Sequence, residues 1–87
     1  MIEIDGIYTG HNLYVKNPYS NFGETFCVYE VKVNGMTTSD AFESSAFEID
    51  LSKYSFNLGD AVRVVIYHRN SCLPEILNPE VLHPRVH

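Results

Sequence analysis

Apolar and polar residues alternate with a period of two along most of this chain, and no window of ten residues carries a helical stripe bounded by caps. The clearest run is ETFCVYEVKV, residues 24–33. Its odd positions Cys27, Tyr29, Val31 and Val33 form one apolar face. Glu24, Glu30 and Lys32 fall on the water side, with Phe26 and Val28 making the middle of that side apolar as well. The run ends at Asn34-Gly35, a pair that tolerates the positive φ of a tight hairpin turn. SSAFEIDLS repeats the alternation with Phe47, Ile49 and Leu51 inward and Glu48 and Asp50 outward.

YSFNLGD then reads as a corner, with Gly59 free to take a left-handed conformation and Asp60 placed to accept backbone hydrogen bonds. The next strand is DAVRVVIYHR, with Val62, Val64, Ile66 and His68 on one face and Arg63, Val65, Tyr67 and Arg69 on the other. Nearer the start, HNLYVKN offers Leu13 and Val15 inward against Tyr14 and Lys16. Ile2 and Ile4 suggest a first short strand, with Gly6 marking a bulge or turn after it. Short strands separated by Gly, Pro, Asn and Ser predict an all-β, antiparallel fold, best read as a two-sheet sandwich of about seven short strands. The one helical candidate is a turn around SDAFESS, where Ser39 or Asp40 would cap.

After residue 73 the pattern changes. PEILN is followed by PEVLH, and prolines at 74, 79 and 84 forbid a helix. Residues 1–73 are therefore read as the sandwich domain, and 74–87 as a Pro-rich edge strand or linker toward a following domain. Ile76, Leu77, Val81 and Leu82 are too apolar to stand in solvent.

The chain has 87 residues, room for one core, and 45% hydrophobic content with six Tyr and five Phe to build it. Its net charge is −5 and its six Lys and Arg are scattered, which argues against nucleic acid as a partner. No apolar run reaches the length of a membrane span, so no membrane insertion is expected. The two cysteines, Cys27 and Cys72, lie 45 residues apart and admit two readings, one disulfide or two buried thiols.

Catalytic chemistry finds little support. Ser39 or Cys72 with His68 and Asp40 supply the residue types of a nucleophilic triad, but no elbow motif frames them. His11, His68, His83, His87, Cys27 and Cys72 lack zinc-site spacing, although His68 stands four residues before Cys72. Asp40, Glu43 and Asp60 fall short of the ligand count for calcium. No enzyme activity, metal or cofactor is expected. An aromatic platform for sugar is the one binding site the residues suggest, from Tyr14, Tyr19, Phe22 and Phe26, though without Trp.

Taken together, YTGHNLYVKNPYSNFGE, FCVYEVKVNG, SSAFEIDLS and LGDAVRVVIYHRNSCLPEILNPEVL resemble a small β-sandwich module of exported or envelope proteins of Bacteroidota. Its character is immunoglobulin-like or carboxypeptidase-regulatory-like. The L-G-D-x-V corner is common to many sandwiches; the pairing of Cys27 with Cys72 is the more specific feature. The resemblance implies an immunoglobulin-like accessory module, secreted or in the cell envelope, with a neighbouring domain or protein as partner. The expected function is a non-catalytic structural or interaction module, and the alternative is a carbohydrate-binding module with polysaccharide as partner.

Overall fold

The alternating segments form two antiparallel sheets whose inner faces share one core, in a computed structural model that describes residues 1–19, 25–38 and 44–83. The strands are β1 (Ile2–Tyr8), β2 (Leu13–Lys16), β3 (Val28–Val33), β4 (Met36–Thr37), β5 (Ala46–Ile49), β6 (Ala61–His68), β7 (Glu75–Ile76) and β8 (Leu82–His83). One sheet has five strands in the order β4-β3-β6-β1-β8, and the other has three in the order β5-β2-β7. The expected all-β antiparallel sandwich is the architecture found.

Alternate residues of β2, β3, β5 and β6 fill the core. Leu13 and Val15 of β2 and Phe47 and Ile49 of β5 are buried with Val31 and Val33 of β3 and Val62, Val64 and Ile66 of β6. Burying these apolar side chains, at about 1.5–3 kcal/mol each, is the main force holding the sheets together. β6 lies between β3 and β1 and pairs with both, so its backbone is occupied along its length.

Two local expectations are corrected. Strict alternation puts Tyr29 inward, but the register between β3 and β6 shifts between Val28 and Glu30. The extra residue is Tyr29, which turns outward and is 55% exposed, while Cys27 and Val28 are both buried. A bulge moves every residue before it to the opposite face relative to strict alternation. This accounts for Val28, apolar on what the alternation marks as the water side. Gly6 makes neither bulge nor turn: β1 runs unbroken through it, with Gly6 opposite Val62.

The Asn34-Gly35 turn has φ of 49° and 84°, both left-handed, as a tight hairpin requires. Asn34 also reaches across to β6: the Arg63 amide donates to its Oδ1 at 2.7 Å, and its Nδ2 donates to the Ala61 carbonyl at 3.3 Å. A Cβ at Gly35 would meet nothing within 4 Å, so any penalty there belongs to the backbone alone. Gly35→Ala is expected to cost about 1–2 kcal/mol, read as a lower urea midpoint with unchanged slope.

Beyond β5, Asp50 caps a short 3-10 helix, Leu51–Tyr54, by accepting from the Ser52 amide at 3.0 Å and the Ser52 hydroxyl at 2.5 Å. These bonds hold the Asp50 carboxyl below the ordinary aspartate range. A depressed carboxyl stabilises the fold above its unfolded pKa, and that contribution fades as pH falls through the folded value. Carboxyl shifts followed by NMR should therefore give Asp50 a midpoint below a free aspartate; a midpoint at or above it would remove the cap. At the Asn57–Asp60 corner Gly59 is left-handed at φ 93°, and Asp60 accepts from the Asn57 amide at 2.8 Å. The SDAFESS turn lies largely outside the described residues.

The tail belongs to both sheets. β7 is an edge of the three-stranded sheet, opposite Val15 and Lys16, and β8 is an edge of the five-stranded sheet, opposite Ile7 and Tyr8. Between them Asn78 does the work of a strand. Its Oδ1 accepts from the Tyr14 amide at 2.8 Å, and its Nδ2 donates to the Asn12 carbonyl at 2.9 Å. The two halves of the PEILN-PEVLH echo thus supply one edge strand to each sheet.

Candidate functional site

The outer face of the five-stranded sheet carries the exposed chemistry. Strand alternation and register place Lys32, Val65 and Glu3 side by side across β3, β6 and β1, with Tyr67 and Arg63 two residues to either side of Val65 along β6. Valine is the short side chain in this cross, and the four around it are long. The result is an open concavity of about 440 Å³, with Val65 and Tyr67 in its floor and Lys32, Arg63, Glu3 and the Asn34-Gly35 turn around it.

Charge and aromatic surface meet here. The Lys32 ammonium lies 5.6 Å from the centre of the Tyr67 ring. The Arg69 guanidinium lies 5.9 Å from the centre of the Tyr29 ring, and the two tyrosine rings are 6.4 Å apart and tilted. The bulge creates this second pair, because without it Tyr29 would point into the core. Arg63 meets Glu3 at 3.1 Å with both side chains about half exposed, so the pair contributes little to stability. Among the described residues no carboxylate lies within ion-pair distance of Lys32 or Arg69. Glu30, half-buried opposite Tyr67, is the nearest acid by register.

The residues singled out from sequence fall in different places. Tyr19 and Phe26 stack with centroids 4.4 Å apart and 17° between their planes, and Tyr19 is exposed. Tyr14 stands apart on the outer face of the three-stranded sheet beside Glu48, whose hydrogen bond and charge push its hydroxyl pKa up. Phe22 lies outside the described residues, so the proposed platform of four aromatics is seen as one stacked pair and one separate tyrosine. Sequence reading missed Tyr29, Tyr67, Lys32 and Arg69 as a group. The outward positions of the β6 run signalled Tyr67 and Arg69 and those of the β3 run signalled Lys32, but Tyr29 joins them only through the bulge.

Of the nucleophile and ligand candidates that the structure describes, Cys27, Cys72, His68 and Asp60 are engaged, while His11 is exposed. Cys27 and Cys72 are joined, with sulfurs 2.04 Å apart and Cα atoms 5.9 Å apart, so Cys72 is neither a thiol nucleophile nor a thiolate ligand. His68 Nδ1 is 2.9 Å from the Arg69 carbonyl. Ser39, Asp40, Glu43 and His87 lie outside the described residues, as does the side chain of His83. Among the described residues no three His, Cys, Asp or Glu side chains gather as a metal site, and no helix is long and apolar enough to cross a membrane.

Comparison with protein-family models, curated proteins and solved structures finds no match to this chain.

Proposed function

We propose that this domain is a non-catalytic interaction module of an exported bacterial protein, secreted or in the cell envelope. The observation that carries the reading is the outer face of the five-stranded sheet, where β3 and the β6 segment carry two tyrosines and two cations that have no acidic partner among the described residues. Exposed aromatic and guanidinium groups held on a rigid scaffold are the usual anchors of binding surfaces. The Cys27–Cys72 disulfide supports an oxidising compartment. An immunoglobulin-like relationship accords with the sandwich and remains part of the proposal, as does a neighbouring domain or protein as the partner.

Isotope-labelled domain added to a cell-envelope extract tests this. The extract is split into a protease-treated polysaccharide pool and a protein pool freed of glycans. Amide shifts or broadening confined to Lys32, Val65, Tyr67 and Arg69 in either pool are the expected result; no response in both pools overturns the reading. A response to the polysaccharide pool alone favours the second reading, a carbohydrate-binding module, which the stacked Tyr19–Phe26 pair and the concavity over Val65 support.

A further inference from the structure

We infer that the concavity over Val65 and the tyrosine–cation row beside it form a binding site for an acidic oligosaccharide, one whose sugar rings carry carboxylates. The inference rests on the reading of this face as a binding surface, and three observations lead from that reading to the ligand.

The first concerns the backbone. β6 is hydrogen-bonded on both sides, so it has no edge to offer an extended peptide, whose affinity comes from main-chain pairing. Recognition here must come from side chains above the sheet, by stacking and by charge. The second is shape. Val65 is a dip among longer neighbours, and the concavity of about 440 Å³ over it and Tyr67 falls in the size range of small-ligand sites. From Arg63 to Arg69 the strand runs for about 20 Å, the length of an oligosaccharide of several units.

The third is charge. In a chain of net charge −5, Lys32 lies over half-buried Tyr67 and Arg69 over exposed Tyr29, with no carboxylate in reach among the described residues. A carboxylate on a ring stacked at Tyr67 would meet Lys32, and one on the next rings would meet Arg69 or share Arg63 with Glu3. Glu30 and Glu3 oppose such a ligand electrostatically and set its position by accepting from its hydroxyls. Neutral sugars would gain the stacking and forgo the cations.

The test uses the disulfide-bonded domain and two probes, tetragalacturonate and its fully methyl-esterified form, followed by amide shifts. The expected result is shifts at Lys32, Val65, Tyr67 and Arg69, with binding of the acid about tenfold or more tighter than of the ester. Val65→Phe fills the dip and should abolish the response while leaving the urea midpoint near that of the parent. Lys32→Glu, at a half-buried position on the outer face, should do the same through charge, and Glu30→Gln should tighten binding several-fold, as expected for removal of a like charge. Equal binding of the ester, shifts centred on Tyr19 and Phe26, or equal binding of an oligo-glutamate would each overturn the inference. No response to either saccharide alongside a response of these same amides to the envelope protein pool would remove the ligand class and leave the interaction surface standing.

Discussion

Replacing Cys27 and Cys72 together by alanine should lower the stability of the domain by about 4 kcal/mol, the chain-entropy value for a closed loop of this length. The bond ties the residue before β3 to the segment that leaves β6 for β7, across a sequence separation of 45. That segment is the crossing from the five-stranded to the three-stranded sheet, and its neighbours are weakly held: Leu73 is 72% exposed and β7 pairs through only two residues. Without the bond the unfolded chain recovers the entropy of a large loop, and the crossing loses its anchor on β3. Domains of this size have about 5–10 kcal/mol in total, so the loss takes a large share. Urea unfolding of the parent under oxidising and reducing conditions, beside the double variant, measures it. The reduced parent and the variant should coincide within about 1 kcal/mol, apart from the small cavity left at buried Cys27. A reduced protein as stable as the oxidised one would remove the disulfide as support for an exported module, since the fold would then be indifferent to its redox surroundings.

Most of the sandwich was legible because its strands bury one face. Leu13 and Val15, Phe47 and Ile49, and Val62, Val64 and Ile66 are inward in sequence and in structure alike. Legibility failed where the backbone departs from strict alternation or where a side chain substitutes for it. Nothing local at Tyr29 announces a bulge; the signal was the misplaced Val28, which alternation alone cannot distinguish from a strand buried on both faces. Asn34 and Asn78 read as turn and linker residues, yet each bonds to the backbone of a strand far away in sequence. Such roles depend on which strands become neighbours, and topology is not encoded in periodicity. The candidate face was half legible for the same reason: Val65, Tyr67 and Arg69 share an outward face by spacing, but their meeting with Lys32 and Tyr29 is a matter of register between β3 and β6.

Asn17 is the sharpest case, a polar residue after β2 that is fully buried. Its amide donates to the Ser45 carbonyl at 2.8 Å, and its Oδ1 accepts from the Val28 amide at 2.9 Å. One residue thereby joins the approach to β5 in one sheet to the first residue of β3 in the other. The next residue continues the link, since the Cys27 amide donates to the Pro18 carbonyl at 2.7 Å. Asn17→Ala strips the Val28 amide of its acceptor in a buried setting, at an expected cost of about 1–3 kcal/mol. Faster hydrogen exchange at Val28 should accompany it, whereas a loss below about 0.5 kcal/mol would mean that water replaces the side chain. The bond made by Asn17 and the disulfide at Cys27 hold adjacent residues at the same corner, so their effects should not add. If the disulfide places this corner before the hydrogen bond forms, Asn17→Ala should cost less in the Cys27→Ala/Cys72→Ala background than in the parent, by about 0.5 kcal/mol or more. Equal costs in the two backgrounds would show that the corner is assembled by β2 and β3 themselves, with the disulfide acting only on the unfolded chain.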